Sequence, residues 1–385
     1  MGGVASYARE LVQAMAAIDE HEIYVLAQIT GHFEEYQDGN VIVKRCFRRD
    51  IRFIFAIMKQ VELIKPDVVH LQHELNLFGG YATSFMVPIL LSLLRKKYIV
   101  VATIHGVLSL ADLNPKFVRA NNVRVHPCLI RVSLRWIFKA IINRSHKIIV
   151  HEDLLRQRLV DQYGIRSEKI LVIPHGVRSL DRIDKLEARS LLGIKNNANV
   201  ILFMGYVTAY KGLDELIDLY EGYVLEDNNA LLVLGAGEHP RLAGNAAYRK
   251  NVYGKIKAKV ELQIPKENYR WVGFIPEELI PIYFSAADIS VFPYSVGMAA
   301  SGPMSISIGY GLPFLASSQL LALLPNDCGA IELTKEQFVS SLKGYFNDRG
   351  LYEEMLTKFR QGRSWDRVAA LTLEAYYAIE NCDVL

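Results

Sequence analysis

From residue 22 to residue 317 this chain alternates short apolar runs with amphipathic ones, and many of the apolar runs stop at a glycine or a histidine. Residues 22–27, 40–44, 68–72, 98–103, 147–150 and 170–173 read as strands in the first half. Between them, 6–17, 51–64, 81–94, 128–144 and 152–163 carry helical spacing. The second half repeats the plan, with strands at 200–204, 230–234, 269–272 and 289–292 and a last short one at 313–317. Its helices fall at 213–220, 247–261, 279–285 and 302–310, and 365–380 forms a long amphipathic helix after Gly362. Strict alternation of this kind predicts an α/β fold of parallel sheets covered by helices on both faces. The charged, irregular stretch at 178–199 separates two such halves, which are expected to face each other.

In open parallel sheets, ligands bind beyond the carboxyl ends of the strands. Gly3, His73, His105, His175, Gly205, Gly235 and Gly237 all follow a strand-like run or precede a helix-like one. The first of these positions is unusual. Met1-Gly2-Gly3 opens on a loop with no strand before it, where a doubly wound domain places one. The reading is that a first strand is missing. Gly2 with Ser6 also matches an acylation pattern, a weaker use of the same glycines.

The bulk properties exclude more than they assign. The 385 residues suffice for two domains, and 44 basic against 41 acidic residues give a net charge of +3, so no nucleic-acid partner is expected. Cys46, Cys128, Cys328 and Cys382 are scattered, with no paired spacing for a metal or a disulfide framework. The longest apolar stretch, 85–94, contains Pro88 and is too short to span a bilayer. Arg119, Arg124, Arg131, Arg135, Lys139 and Arg144 are interleaved with Val132, Leu134, Trp136, Ile137 and Phe138. That mixture suits either a helix lying on a membrane surface or a buried face with a solvated rim.

The strongest chemical signal is Phe203-Met-Gly-Tyr-Val-Thr-Ala-Tyr-Lys-Gly212 followed by Leu213-Asp-Glu-Leu-Ile217. A strand, a glycine turn and a helix start present Lys211 beside free backbone amides, which is a phosphate site. Ser301-Gly302-Pro303 starts another helix, with Pro303 where its missing N–H costs nothing. Pro293-Tyr294 and Gly311-Leu312-Pro313 flank that loop. Gly235-Ala-Gly237 leaves room for a base or ribose, and Val272-Gly-Phe274-Ile-Pro276 forms a wall against a base. His105-Gly106 and His73-Glu74 close two strands of the first half, and Pro174-His175-Gly176 closes its last. An imidazole there can donate to a sugar hydroxyl or a developing charge.

As a set, Gly2-Gly3, His73-Glu74, His105-Gly106, Pro174-His175-Gly176, the 205–212 loop, Gly235-Ala-Gly237, Gly311-Leu-Pro313 and the helix around Trp365 resemble the retaining nucleotide-sugar glycosyltransferases of family 4, group 1. The resemblance runs along nearly the whole chain. It implies the GT-B fold: an acceptor-binding Rossmann-like domain at 1–177, a nucleotide-sugar-binding one at 178–363, and a terminal helix at 364–385 crossing back to the first. It implies His105, His73 and Glu74 as catalytic residues. Gly3, Gly205, Lys211, Gly237, Phe274, Ser301, Gly302 and Pro303 would bind the donor. No metal and no cofactor is implied beyond the nucleotide-diphosphate sugar itself. The acceptor would be lipid-linked or a glycan, in cell-envelope polysaccharide synthesis, and the protein cytoplasmic with peripheral contact at the inner face of the membrane.

The chain departs from the family pattern in three places. Tyr206 and Thr208 stand where an arginine is usual, and Met298 and Ile306 replace two glutamates. The first strand is the third departure. Arg241 or Lys250 could supply the lost charge. These departures leave two other readings open: a catalytically weak sugar- or partner-binding paralogue, and another enzyme on the scaffold such as a nucleotide-sugar epimerase.

Overall fold

The computed structural model describes residues 3–18, 20–75, 77–115, 118, 125–240, 242–295, 301–322, 324, 328–334 and 336–380. The chain forms two compact units, Met1–Gly176 with Trp365–Leu385, and Val177–Ser364. Both are α/β, as the alternation of runs predicts.

In the first unit α1 (Gly3–Ile18) leads into β1 (Ile23–Gln28), β2 (Glu34–Asp38) and β3 (Val41–Phe47). These make a small sheet in the order β1-β3-β2, parallel between β1 and β3 and antiparallel between β3 and β2. β2 corrects the sequence reading. Its residues, Glu-Glu-Tyr-Gln-Asp, have no apolar run to reveal a strand. Cross-strand pairs hold it instead, Glu35 to Lys44 at 3.1 Å and Glu34 to Arg45 at 3.3 Å. A second, all-parallel sheet follows: β4 (Val68–His73), β5 (Ile99–Ile104), β6 (Lys147–Val150) and β7 (Ile170–Val172), in that order. The intervening helices are α2 (Phe53–Ile64), α3 (Tyr81–Leu94), α4 (Pro127–Arg144) and α5 (Asp153–Asp161).

Tyr7, Leu11, Ala14 and Met15 recur at helical spacing on α1 and form one core with Val101 and Ile149 of the sheet and Val368, Ala369 and Leu373 of the terminal helix. That helix spans Trp365–Glu380 and packs within the first unit. Its entry depends on Gly176: a Cβ there would lie 2.4 Å from the Trp365 indole.

The second unit holds a six-stranded, all-parallel sheet in the order β10-β9-β8-β11-β12-β13. Its strands are β8 (Asn199–Tyr206), β9 (Ala230–Gly237), β10 (Tyr269–Trp271), β11 (Ile289–Phe292), β12 (Phe314–Ala316) and β13 (Ala330–Glu332). Alternation within a continuous apolar run feeds two cores. Ile201 and Phe203 of β8 face one, and Val200 and Leu202 the other. The helices are α6 (Lys185–Leu192), α7 (Leu213–Val224), α8 (Gly254–Gln263), α9 (Ile280–Ala286), α10 (Gly302–Gly309), α11 (Phe338–Asn347) and α12 (Arg349–Gln361), and the terminal helix of the chain becomes α13.

Three readings are corrected here. The stretch 178–199 is not wholly irregular, because Asp184 caps α6 by accepting from the amides of Leu186 and Glu187 at 2.9 and 3.0 Å. The helix read at 247–261 is interrupted by a π turn at Arg249–Tyr253. The strand at 313–317 is not the last: β13, Ala-Ile-Glu with no apolar run to mark it, extends the sheet.

Candidate functional site

In the second unit the informative residues gather beyond the carboxyl ends of β8, β9, β10 and β11. Residues 209–211 form a single 3₁₀ turn, and Gly212 then caps α7 in the left-handed conformation at φ +67°. Only glycine fits there, since a Cβ would overlap the Pro293 carbonyl at 1.7 Å. This close approach of two loops places Lys211 against Tyr294. The ammonium donates to the Tyr294 hydroxyl and lies 3.7 Å from that ring's centroid and 5.2 Å from that of Tyr210. Tyr294 in turn shares a 2.7 Å hydrogen bond with the Ser301 hydroxyl. Lys211 is 8% exposed, and no carboxylate among the described residues pairs with it. Burial lowers its pKa from 10.5 to about 8.

Two helix starts converge on the same loops. α7 begins at Gly212 and α10 at Ser301, and neither has a side-chain cap, so their first amides remain available as donors. The acid nearest the first start, Asp214, is held at 2.8 Å by Lys259. A buried ammonium with these amides is built to take an anion.

Beside it, aromatic side chains close three neighbouring strands. The rings of Tyr206, at the end of β8, and Phe274, after β10, lie nearly parallel at 8° with centroids 6.2 Å apart. His239, after β9, meets Tyr206 edge-on at 5.5 Å. Phe274 is 62% exposed, a large apolar face presented to solvent. Gly237 ends β9, with its carbonyl accepting from the Val207 amide at 2.9 Å and Phe274 packed 3.2 Å from where a Cβ would stand.

In the first unit the strand-end histidines form a connected cluster under α1. Tyr7 lies 4.8 Å from the rings of His105 and His151 and 5.0 Å from His175, and Trp365 of α13 closes on it at 5.2 Å. The proton order follows from one fixed acceptor. His151 Nδ1 donates to the Ile173 carbonyl at 3.2 Å, so its Nε2 accepts from His105 Nδ1 at 3.0 Å. His105 Nε2 then accepts, and the Gln72 amide, 2.8 Å away, must turn its nitrogen toward it. Burial first, then the neighbouring histidines 175, 70 and 73, push His105 down to about 3. His70 bridges Tyr376 of α13 and Thr103 at 2.5 and 2.7 Å, and burial pushes it to about 4. His73 is 1% exposed, is likewise pushed to about 4, and its Nδ1 has no hydrogen-bond partner. Glu74, next in the chain, is exposed.

Residues 1–179 match the model of Glycosyltransferase Family 4, and residues 184–317 match that of Glycosyl transferases group 1. The chain belongs to the family 4, group 1 glycosyltransferases. It is 20% identical over 250 residues to an uncharacterized glycosyltransferase of Methanocaldococcus jannaschii, a match covering 60% of each. Over 161 residues it is 28% identical to a D-inositol 3-phosphate glycosyltransferase of Geodermatophilus obscurus, covering 40% of this chain and 34% of that protein. The chain therefore spans less than two thirds of these relatives. Among solved structures, HepE of Anabaena in complex with UDP superposes with a TM-score of 0.69 at 14% identity, covering 98% of this chain and 96% of that one. This likeness establishes the GT-B fold.

Within this family member the structure assembles Gly205, Lys211, Ser301, Gly302 and Pro303 around one corner of the second unit, with Gly237 and Phe274 at the adjacent strand ends. Gly3 opens α1 in the first unit. His105 and His73 are both buried, and each nitrogen of His105 is engaged within the protein. Gly2, Asn76, Arg119, Arg124, Arg241, Met298 and Ala300 lie outside the described residues. Lys250 sits in the exposed π turn. Ile306 packs on one of the two cores of the second unit. Sequence reasoning missed Tyr7, Gln72, His151 and His239, and took Tyr206 only as a lost arginine. The available signal was position: Tyr206, His239 and Phe274 each follow an apolar strand. No group of three His, Cys, Asp or Glu side chains among the described residues could hold a metal ion.

Proposed function

We propose that this glycosyltransferase moves a hexosyl group from a nucleotide-diphosphate sugar to a lipid-linked or polysaccharide acceptor, with retention at the anomeric carbon. The observation that carries the reading is Lys211, a buried ammonium that no carboxylate among the described residues pairs with, set between two uncapped helix starts. In the transfer the bond from the anomeric carbon to the diphosphate breaks and its electron pair goes to the phosphate oxygen. The acceptor oxygen bonds to the same face of that carbon, and its proton passes to the departing phosphate. Lys211 and the first amides of α7 and α10 neutralise the charge that collects on the leaving group. The nucleobase lies against Tyr206 and Phe274. Protein groups carry this role without a metal.

The donor class is supported by the UDP complex of the structural neighbour HepE. The first unit takes the acceptor, on the side where Gly3, His73, Glu74 and His105 stand, with both histidines buried beneath the surface. Contact with the cytoplasmic face of a membrane is supported by α3 and α4. Leu129, Val132 and Trp136 are exposed beside Arg135 and Lys139, and Phe85 lies 5.6 Å from Trp136. Neither helix contains an acidic residue. Among the described residues no helix is long and apolar enough to cross a membrane.

The test is calorimetric titration with UDP-, GDP-, dTDP- and ADP-sugars, followed by turnover with membrane extract. One donor binds, and Lys211→Ala weakens it by about 10- to 100-fold, the value of a hydrogen-bonded charge at ~1.5–3 kcal/mol. Absence of binding to every donor by the folded chain would overturn the reading.

A further inference from the structure

Ser301 stands at the N-cap of α10 and does not cap it. Its backbone is extended, at φ −91° and ψ 123°, the conformation from which a serine oxygen accepts an amide of the first turn. Pro303 has no N–H, so that amide would be the one of Met304. The hydroxyl instead lies 2.7 Å from the Tyr294 hydroxyl, and no side chain closes the helix start. Tyr294 is held firmly in the place from which it does this. It is 3% exposed, its carbonyl accepts from the Ser317 hydroxyl at 2.5 Å, and the following amide, that of Ser295, donates to the Tyr210 carbonyl at 2.9 Å. The rings of Phe292 and Tyr210 each meet it edge-on at 6.0 Å. Burial keeps the phenol well above its ordinary value of 10, so it retains its proton.

The sense of the hydrogen bonds follows from the donors available. An ammonium has three donors and no acceptor, so Lys211 donates and the Tyr294 oxygen accepts. The single phenol proton then goes to the Ser301 oxygen. The Ser301 proton is left over, and among the described residues no acceptor takes it. We propose that Tyr294 is a positioning residue for the donor diphosphate: it draws the Ser301 hydroxyl off the cap of α10 and leaves that hydroxyl, with the first amides of the helix, to donate to a phosphate oxygen. This rests on the reading of Lys211 as the diphosphate site and deepens it. The chain of donors runs one way, from ammonium to phenol to hydroxyl to phosphate, and each bond polarises the next. Tyr294 acts through its two neighbours and does not touch the ligand.

The experiment is calorimetric titration of the full chain with inorganic pyrophosphate at pH 6, where Lys211 is charged in every form. The titratable groups facing Lys211 are the phenols of Tyr210 and Tyr294, and no carboxylate among the described residues pairs with it. Tyr294→Phe and Ser301→Ala should each weaken pyrophosphate about tenfold, the loss of one hydrogen bond to a charged group. Combined, they should cost no more than Tyr294→Phe alone, because one acts through the other. In the ligand-free protein, side-chain NMR should show the Lys211 titration moving from about 8 toward 7 in Tyr294→Phe, since the charged form loses its acceptor. A purely structural tyrosine would leave that titration in place, and a Lys211 titration unmoved by Tyr294→Phe would overturn the inference. Additive losses would overturn it too. So would full affinity in Ser301→Ala, which decides the matter even if Tyr294→Phe fails to fold. If Lys211→Ala weakens pyrophosphate while Tyr294→Phe and Ser301→Ala do not, this inference fails and the donor reading stands. Absence of binding by the unaltered protein would remove both.

Discussion

Asp288 and Lys211 are both buried charges of the second unit, and the fold treats them in opposite ways. Asp288 stands at the amino end of β11. Arg189 and Arg349 reach it at 2.8 and 2.6 Å, Lys185 also pairs with it, and the Val200 amide donates at 2.7 Å. Lys211 stands near the carboxyl ends of the same sheet and, among the described residues, meets a phenol hydroxyl and two ring faces but no carboxylate. A charge closed on every side serves stability. A charge left without its counterion at the ligand end of a parallel sheet serves binding. The contrast separates the two roles without any appeal to residue type.

The largest expected effect breaks the closed end. Asp288→Ala leaves Arg189, whose side chain is 4% exposed, without its counterion. Breaking a buried pair in this way costs about 3–5 kcal/mol. Urea unfolding should show that loss, with Asp288→Asn intermediate. Lys211→Met should leave stability unchanged or raise it, because an isolated buried charge is being removed. If both substitutions destabilise equally, the distinction between the two ends fails.

The histidines of the first unit supply a third case, a buried network that is neutral. Folded values near 4 for His70 and His73 and near 3 for His105 lie below the ordinary 6.5. The unfolded chain therefore binds more protons between those limits, and stability must fall as pH drops below 6.5. The slope is about 1.4 kcal/mol per pH unit for each histidine. Thermal unfolding at pH 7, 6 and 5 should show the decline, and His70→Gln should flatten it by about a third. A midpoint that does not move between pH 7 and 5 would show these rings are not buried neutral.

Much of this was legible in the chain. The apolar runs at 200–204 and 289–292 gave strands, and the Lys211-Gly212 pair before a helical run marked the position proposed to hold the donor phosphates. What could not be read came from contacts distant in sequence. Tyr7 reaches its histidines across about 100 to 170 residues, and the Lys211–Tyr294 contact depends on Gly212 meeting the Pro293 carbonyl. Neither leaves a local period. β2 was hidden because an exposed strand held by charge pairs has no apolar run. β13 was hidden because Ala330-Ile-Glu332 has no apolar run to mark it.

The open end makes a pH prediction of its own. With Lys211 near 8 before an anion arrives, donor binding must retain its proton. Affinity should be full below pH 8 and fall toward tenfold per unit as pH rises above it, until the raised value of the complex is reached. Calorimetry at pH 7, 8 and 9 checks this, and proton uptake should appear in buffers of different ionisation enthalpy. Lys211→Arg should abolish the dependence, because guanidinium stays charged across this range. A flat profile for the unaltered protein would mean that the ammonium does not meet the donor.

The smallest effect separates the ammonium from its aromatic neighbours. Phe274 is exposed and stacks on Tyr206, so Phe274→Ala should change stability by no more than about 0.5 kcal/mol. If a base packs on this face, the same substitution should weaken the nucleotide donor by about 0.5–1.5 kcal/mol, the value of one aromatic contact. Inorganic pyrophosphate, which has no base, should bind Phe274→Ala and the unaltered protein alike, while Lys211→Ala weakens both ligands. Equal loss of pyrophosphate and nucleotide in Phe274→Ala would place that ring in the phosphate site. Loss of neither would leave the base to Tyr206 and His239, the remaining aromatic groups at these strand ends.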